Sequence, residues 1–207
     1  MKLYDATLPM EEGMVTFPGD PVFQVTPISR LNEGGAFELS RLSLGTHGGT
    51  HVDPPKHYLE GGAGVDALPL DALVGPGVVL DMRGRAFIDR DALEQACLGR
   101  CKKILLKTDS GLLLKERTFR EDYVHLTESG AGFLIEQEIS LVGIDSLSIE
   151  RYGNPGAPVH RALLEAGIVI VEGANLVEIP PGPYEIFCLP LRIKDADGSP
   201  ARLILRG

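Results

Sequence analysis

The chain has 207 residues, 43% of them hydrophobic, enough to bury the core of one globular domain spanning 1–207. Its net charge of −9, with no Lys/Arg cluster to offset it, sets the surface against phosphate backbones and argues against a nucleic-acid partner. No apolar run reaches the length of a membrane-spanning helix, and the opening "MKLYDATLPMEEG" has no long apolar core, so neither a membrane partner nor a signal peptide is expected and the cytoplasm is the expected compartment.

The first third, roughly to Leu44, reads as mostly extended, with "FPGDP" as a tight turn. "GVVLDM" (Gly77 to Met82), a short apolar run between glycines, reads as a buried strand. "DRDALEQACL" follows as a helix, with Asp89 as N-cap and Ala92, Leu93, Ala96 and Cys97 on one face. "KKILLKTD" is the next strand, "TESGAGFLIEQE" a short helix starting near Thr127, and "ISLVGID" another buried strand. "APVHRALLEAG" is a helix with Pro158 near its first turn and Gly167 past its end, and "IVIVEG" is a further strand. "YEIFCLPLRI" and "ARLILR" close the chain as a hairpin across "KDADGSP". Helices alternating with strands in the middle and antiparallel strands at the ends predict an α/β domain with a mixed sheet. Cys97, Cys101 and Cys188 are odd in number and lack C-x-x-C spacing, so they read as inert thiols of a reducing compartment.

The segment "THGGTHVDPPKH", Thr46 to His57, holds three of the five histidines. Gly48, Gly49, Pro54 and Pro55 exclude a helix there. His47, His51, Asp53 and His57 are separated by even steps, so an extended backbone projects all four to one side. Imidazoles and a carboxylate on one face are ligands for zinc, manganese or iron. His160 shares a helix face with Leu163 and Leu164 and so points coreward, and Glu172 ends an apolar strand where burial would demand a cation. Sites of open α/β sheets gather at such strand ends, which makes His160 and Glu172 completing ligands. His125, in "DYVHLTE", has no such company and reads as structural or exposed.

"HGGTHVDPPKH" resembles the H-x-G-T-H-x-D-x-P-x-H signature of the cyclase family of metal-dependent hydrolases, which includes bacterial kynurenine formamidases and isatin hydrolases. The resemblance extends to "FPGDP", "LVGIDSLSIE", "VHRALLEAGIVIVEGANL" and the closing hairpin, which is most of the chain. It implies a swivelling β/α/β fold, assembly as a homodimer or homotetramer, and a centre of two metals, most often zinc and in some members manganese. By the motif, His47, His51 and Asp53 would hold the first metal, Asp53 would bridge to a second held by His160 and Glu172, and His57 would be left as the general acid/base. The implied reaction is hydrolysis of the C–N bond of a small amide by metal-activated water. An aryl formamide of the N-formylkynurenine type, from tryptophan catabolism, is the first candidate substrate, and a cyclic imide, isatin or a lactone is the alternative. Phe17 stands where the formamidases often carry Trp, and Tyr58 where a Phe commonly follows the last His, which changes the aromatic lining.

A rival from another class is a mononuclear non-haem iron oxygenase built on His51, Asp53 and His160. It would leave His47 and Glu172 idle, and such enzymes sit on all-β jelly rolls, which the helices argue against. A structural metal site is typically Cys-rich and closed. This set contains no cysteine and leaves one histidine over.

Overall fold

The computed structural model describes residues 1–96 and 98–207; Cys97, expected on a helix face, lies outside the described residues. The elements in chain order are β1 (Leu3–Asp5), β2 (Gln24–Ser29), β3 (Leu39–Ser43), β4 (His51–Asp53), α1 (Leu70–Leu73) and β5 (Val74–Asp81). There follow β6 (Phe87–Ile88), α2 (Arg90–Gln95), β7 (Lys103–Lys107), β8 (His125–Leu126), α3 (Glu128–Glu136) and β9 (Leu141–Ile144). The last four are α4 (Pro158–Glu165), β10 (Val169–Glu172), β11 (Gly182–Pro190) and β12 (Ser199–Arg206).

The helices begin where the sequence places caps. The Asp89 side chain accepts from Ala92 N at the start of α2, and Thr127 accepts from Gly130 N at the start of α3. Pro158 opens α4, where a missing N–H costs nothing. The strand expected from Gly77 begins earlier, at Val74, because β11 pairs along it from Gly182↔Val79 to Phe187↔Val74.

The sheet is mixed, as expected. Strands β5, β7, β9 and β10 run parallel, while β4, β11 and β12 are antiparallel to their neighbours. β4 bonds to β10 on one side and to β12 on the other, so seven strands close into a ring, and β1 adds to the far end of β12. Closure removes the open edge that β4 would otherwise expose.

Alternation along each strand divides the core in two. Ile104, Leu106, Val142, Ile144 and Ile170 face the helices and pack with Leu93, Leu134 and Leu163. Val79, Leu105, Leu141, Val171 and Leu203 fill the interior of the ring. Truncating one of these fully buried leucines to Ala costs about 2–5 kcal/mol. Outside this body, β2 and β3 pair only with each other and expose Val25, Ile28, Leu39 and Leu42. No helix is long and apolar enough to cross a membrane among the described residues.

Candidate metal centre

The site forms where β4 and β10 pair. His51 lies directly opposite Glu172, and Asp53 opposite Ile170. His51 and Asp53 are two apart on one strand and so share a face with Glu172. The extended backbone expected from His47 to His57 holds only over His51–Asp53. His47 sits inside the turn Gly45–Gly48, closed by the Gly48 N–H on the Gly45 carbonyl, with Gly49 at φ 67° leading on into β4, and His57 comes from a 3-10 turn, Pro55–His57, set by the two prolines. α4 delivers His160 from the helix layer.

Asp53 is the centre of the cluster and is wholly buried. Its Oδ1 lies 2.8 Å from His47 Nδ1 and 3.4 Å from His51 Nε2, and its Oδ2 lies 3.7 Å from His160 Nε2. Glu172 Oε1 sits 3.0 Å from His160 Nε2, and Oε2 3.5 Å from His51 Nε2. The five residues expected as ligands thus converge. Two glycines make room for them. A Cβ on Gly198 would stand 2.5 Å from the His47 ring, and one on Gly173 would stand 2.4 Å from the Gly49 carbonyl oxygen.

Behind His51 and His47 the ring nitrogen that faces away from the cluster meets a hydrogen-bond acceptor, and behind His160 a carboxylate oxygen stands just beyond bonding distance. Gly49 O lies 3.0 Å from His51 Nδ1, Asp197 Oδ2 3.3 Å from His47 Nε2, and Glu150 Oε2 3.5 Å from His160 Nδ1. This is how metal-binding imidazoles are oriented in general. His57 interacts with the acids only through space. Its ring stacks on His47 and meets Tyr58 edge-on at 4.4 Å.

Electrostatics separates the same residues. Burial opposes charge on His51, but the hydrogen bonds to Asp53 and Glu172 outweigh it and raise the ring to about 10. Burial likewise opposes charge on His160 and His47, yet both rise, His160 well above its usual range, because Asp53 faces them. Asp53 is held well below the carboxylate range: burial raises it, and three histidines outweigh that. His57 goes the other way, lowered chiefly by burial.

His51 Nε2, Asp53 Oδ2 and His160 Nδ1 are buried without a hydrogen-bond partner. Unsatisfied buried groups cost about 1–3 kcal/mol each. Two of the three, His51 Nε2 and Asp53 Oδ2, point into the cluster, and neutral imidazole nitrogen with carboxylate oxygen is a donor set that fits a divalent zinc or manganese ion. By distance, two groups of potential ligands occur among the described residues, His51–Asp53–Glu172 and His47–Asp53–His57, each with donor atoms within 4.8 Å of one another. Asp53 is common to both.

A cavity of about 290 Å³ opens onto these residues, lined also by Phe17, Asp20, Tyr58, Leu147 and Ser148. Phe17 is held by Phe119 at 5.3 Å and Tyr152 at 5.8 Å between ring centroids. Sequence reasoning missed Asp20, Asp197 and Glu150. Asp20 lies in the recognised "FPGDP" turn, and Asp197 in the stretch taken only as a hairpin connection. His125 is elsewhere, half-buried in β8 beside Phe87.

A closed mixed sheet that gathers buried histidines and carboxylates at the floor of a small cavity defines a metal-dependent hydrolase. The chain belongs to the Cyclase family, whose model matches residues 4–151. It is 36% identical to a kynurenine formamidase from Salinibacter ruber, over 100% of this chain and 98% of that one. It superposes on the structure of a potential metal-dependent hydrolase with cyclase activity with a TM-score of 0.87 and 34% identity, covering 99% of this chain and 96% of the other. Isatin hydrolase A from Ralstonia solanacearum shares the fold, with a TM-score of 0.84 at 24% identity over 99% of this chain and 91% of that one.

Proposed function

We propose that residues 1–207 act as one catalytic unit, of swivelling β/α/β type, that hydrolyses an aryl formamide of the N-formylkynurenine kind. The observation that carries this reading is the division among the histidines: His47, His51 and His160 each have an oxygen of Asp197, Gly49 or Glu150 within 3.5 Å of the ring nitrogen that faces away, and His57 has no such hydrogen bond among the described residues. His47, His51 and Asp53 would hold one metal, and Asp53, His160 and Glu172 a second, with zinc the first choice and manganese the other. A divalent metal so held supplies Lewis acidity to a carbonyl oxygen and brings the pKa of water to about 7.

The chain's own residues do the rest. Burial keeps the His57 ring neutral near pH 7, so a ring nitrogen can take the proton released as water adds to the formyl carbon. The same nitrogen then returns the proton to the amine nitrogen as the C–N bond breaks, leaving an arylamine and formic acid, which loses its proton to solvent as formate. Phe17, Tyr58 and Leu147 offer apolar surface to the aryl ring. Asp53 and Glu172 supply negative charge that stays fixed during the reaction. The relatives named kynurenine formamidase, similar over the full chain, support this choice of substrate.

The exposed apolar ribbon of β2 and β3 supports assembly into a homodimer or homotetramer. The buried, unreactive thiol of Cys188, pushed up to about 12 by burial, suits the cytoplasm as the compartment.

The deciding experiment loads the protein with zinc or manganese and offers N-formyl arylamines, isatin, cyclic imides and lactones. Formamide turnover at the highest kcat/KM is expected. Preference for isatin or an imide would move the substrate within the family, and no turnover of any of them would sink the hydrolase reading.

A further inference from the structure

Helix α4 carries His160 in its first turn but has no cap of its own. Ala157 stands at its N-cap with φ 47° and offers no side-chain acceptor. The acceptor comes from Glu150, in the loop after β9. Its Oε2 accepts from the backbone N–H of Val159 at 2.9 Å and of His160 at 3.3 Å. Asn154 Nδ2 donates to its Oε1 at 2.7 Å. The Tyr123 hydroxyl donates to the Glu150 carbonyl, and Glu150 N donates to Ser148 Oγ, so the backbone is held as well. The residue is only 6% exposed.

The same Oε2 lies 3.5 Å from His160 Nδ1, while His160 Nε2 faces Glu172 at 3.0 Å. Nδ1 is one of the three buried side-chain atoms without a hydrogen-bond partner among the described residues. A closing of about half an ångström would make the contact a normal hydrogen bond. A neutral imidazole carries one proton, so an acceptor behind the ring decides which nitrogen keeps its lone pair.

We propose that Glu150 is the positioning residue of the second metal site. Its carboxylate accepts the Nδ1 proton of His160 and fixes the tautomer whose Nε2 lone pair faces Asp53 and Glu172. The inference rests on the reading of His160 as a metal ligand. Among the three acceptors it stands apart. Behind His51 there is a neutral carbonyl, and the Asp197 side chain behind His47 is 52% exposed, where water weakens its field. Glu150 alone places a buried negative charge behind a ligand, which raises the basicity of the nitrogen on the other side.

The test is zinc titration of the metal-free protein against a competing chelator, with cobalt absorption to report the geometry of each site. Glu150→Gln keeps an oxygen for the α4 amides and removes the charge. The expected result is an unchanged first site and a second site weakened about 10- to 100-fold. A purely structural role would instead lower the melting temperature and leave the ratio of the two affinities alone. His160→Ala should lose the second site outright. If His160→Ala keeps both metals, the ligand reading fails. If it loses one while Glu150→Gln binds both with parental affinity, the role of Glu150 is overturned and the ligand reading stands. Should Glu150→Gln be unfolded, Asn154→Ala frees the carboxylate without changing its charge: a several-fold loss confined to the second site supports the proposal, and parental affinity overturns it.

Discussion

The ring of His57 lies over the ring of His47, centroids 3.9 Å apart and planes 30° apart. The two rings are driven in opposite directions. The hydrogen bond to Asp53 outweighs burial and raises His47, while His57 is lowered, chiefly by burial. Proton transfer by a placed side chain contributes about 10²- to 10⁴-fold in rate. His57→Ala should lower kcat by about that much and keep its metal, whereas His51→Ala should lose metal and activity together. Metal analysis of both variants beside kcat separates the roles. If His57→Ala loses metal as completely as His51→Ala, His57 is a ligand, as its place within 4.8 Å of donor atoms of His47 and Asp53 would permit.

The saturated protein should hold about two divalent ions per chain, because the five converging candidate ligand side chains exceed what one tetrahedral catalytic metal takes from protein. Glu172→Gln should release one of them. A stoichiometry of one in the parent, unchanged in the variant, would end the idea of a pair bridged by Asp53.

Metal binding should release protons at neutral pH. His51 is raised from 6.5 to about 10 in the metal-free protein. Its ion pairing therefore stabilises the metal-free fold fully below about pH 6.5, and that contribution is lost as pH rises toward about 10. A ligand imidazole must be neutral, so metal competes with these protons and apparent affinity should climb across the same window. Calorimetry at pH 7.5 in buffers of different ionisation enthalpy reads the number released. A result of zero would mean that these rings are not charged before metal arrives.

His125→Ala should leave metal content and turnover within a small factor of the parent. The ring is half-buried on β8, 6.5 Å from that of Phe87, and belongs neither to the cavity lining nor to the two groups of potential ligands. Loss of metal on this change would mean that the histidines have been sorted wrongly.

Phe17→Ala should raise KM for an aryl formamide by about 2- to 10-fold, the worth of one aromatic contact, with kcat nearly unchanged. A fall in kcat with KM unchanged would place Phe17 in the chemical step rather than in binding.

Much of this site is written locally. His47, His51, Asp53 and His57 fall within one short run, and the coreward face of α4 and the end of β10 single out His160 and Glu172. Even spacing places side chains on one face only across His51–Asp53; the turn at Gly45–Gly48 and the proline-set 3-10 turn bring His47 and His57 in from other directions. The mixed sheet could be read from the order of elements, but its closure could not, because β4 pairs with residues far along the chain in β10 and β12. Glu150 escaped for the same reason. Its partners are backbone amides and a ring brought to it by folding, and no spacing rule marks an acid that caps someone else's helix.

The ring of strands is joined by its shortest member. β4 is three residues long, and two of the three, His51 and Asp53, hold buried polar atoms that lack partners. The joint is therefore the natural place for the sheet to part. Local opening occurs where few bonds must break, and a ligand that binds only the closed form suppresses it. Amide hydrogens along β4, β10 and the start of β12 should exchange faster in the metal-free protein than those of β5 and β7, and should slow when metal is added. Backbone exchange at this seam would then act as a gauge of metal occupancy, readable without any substrate.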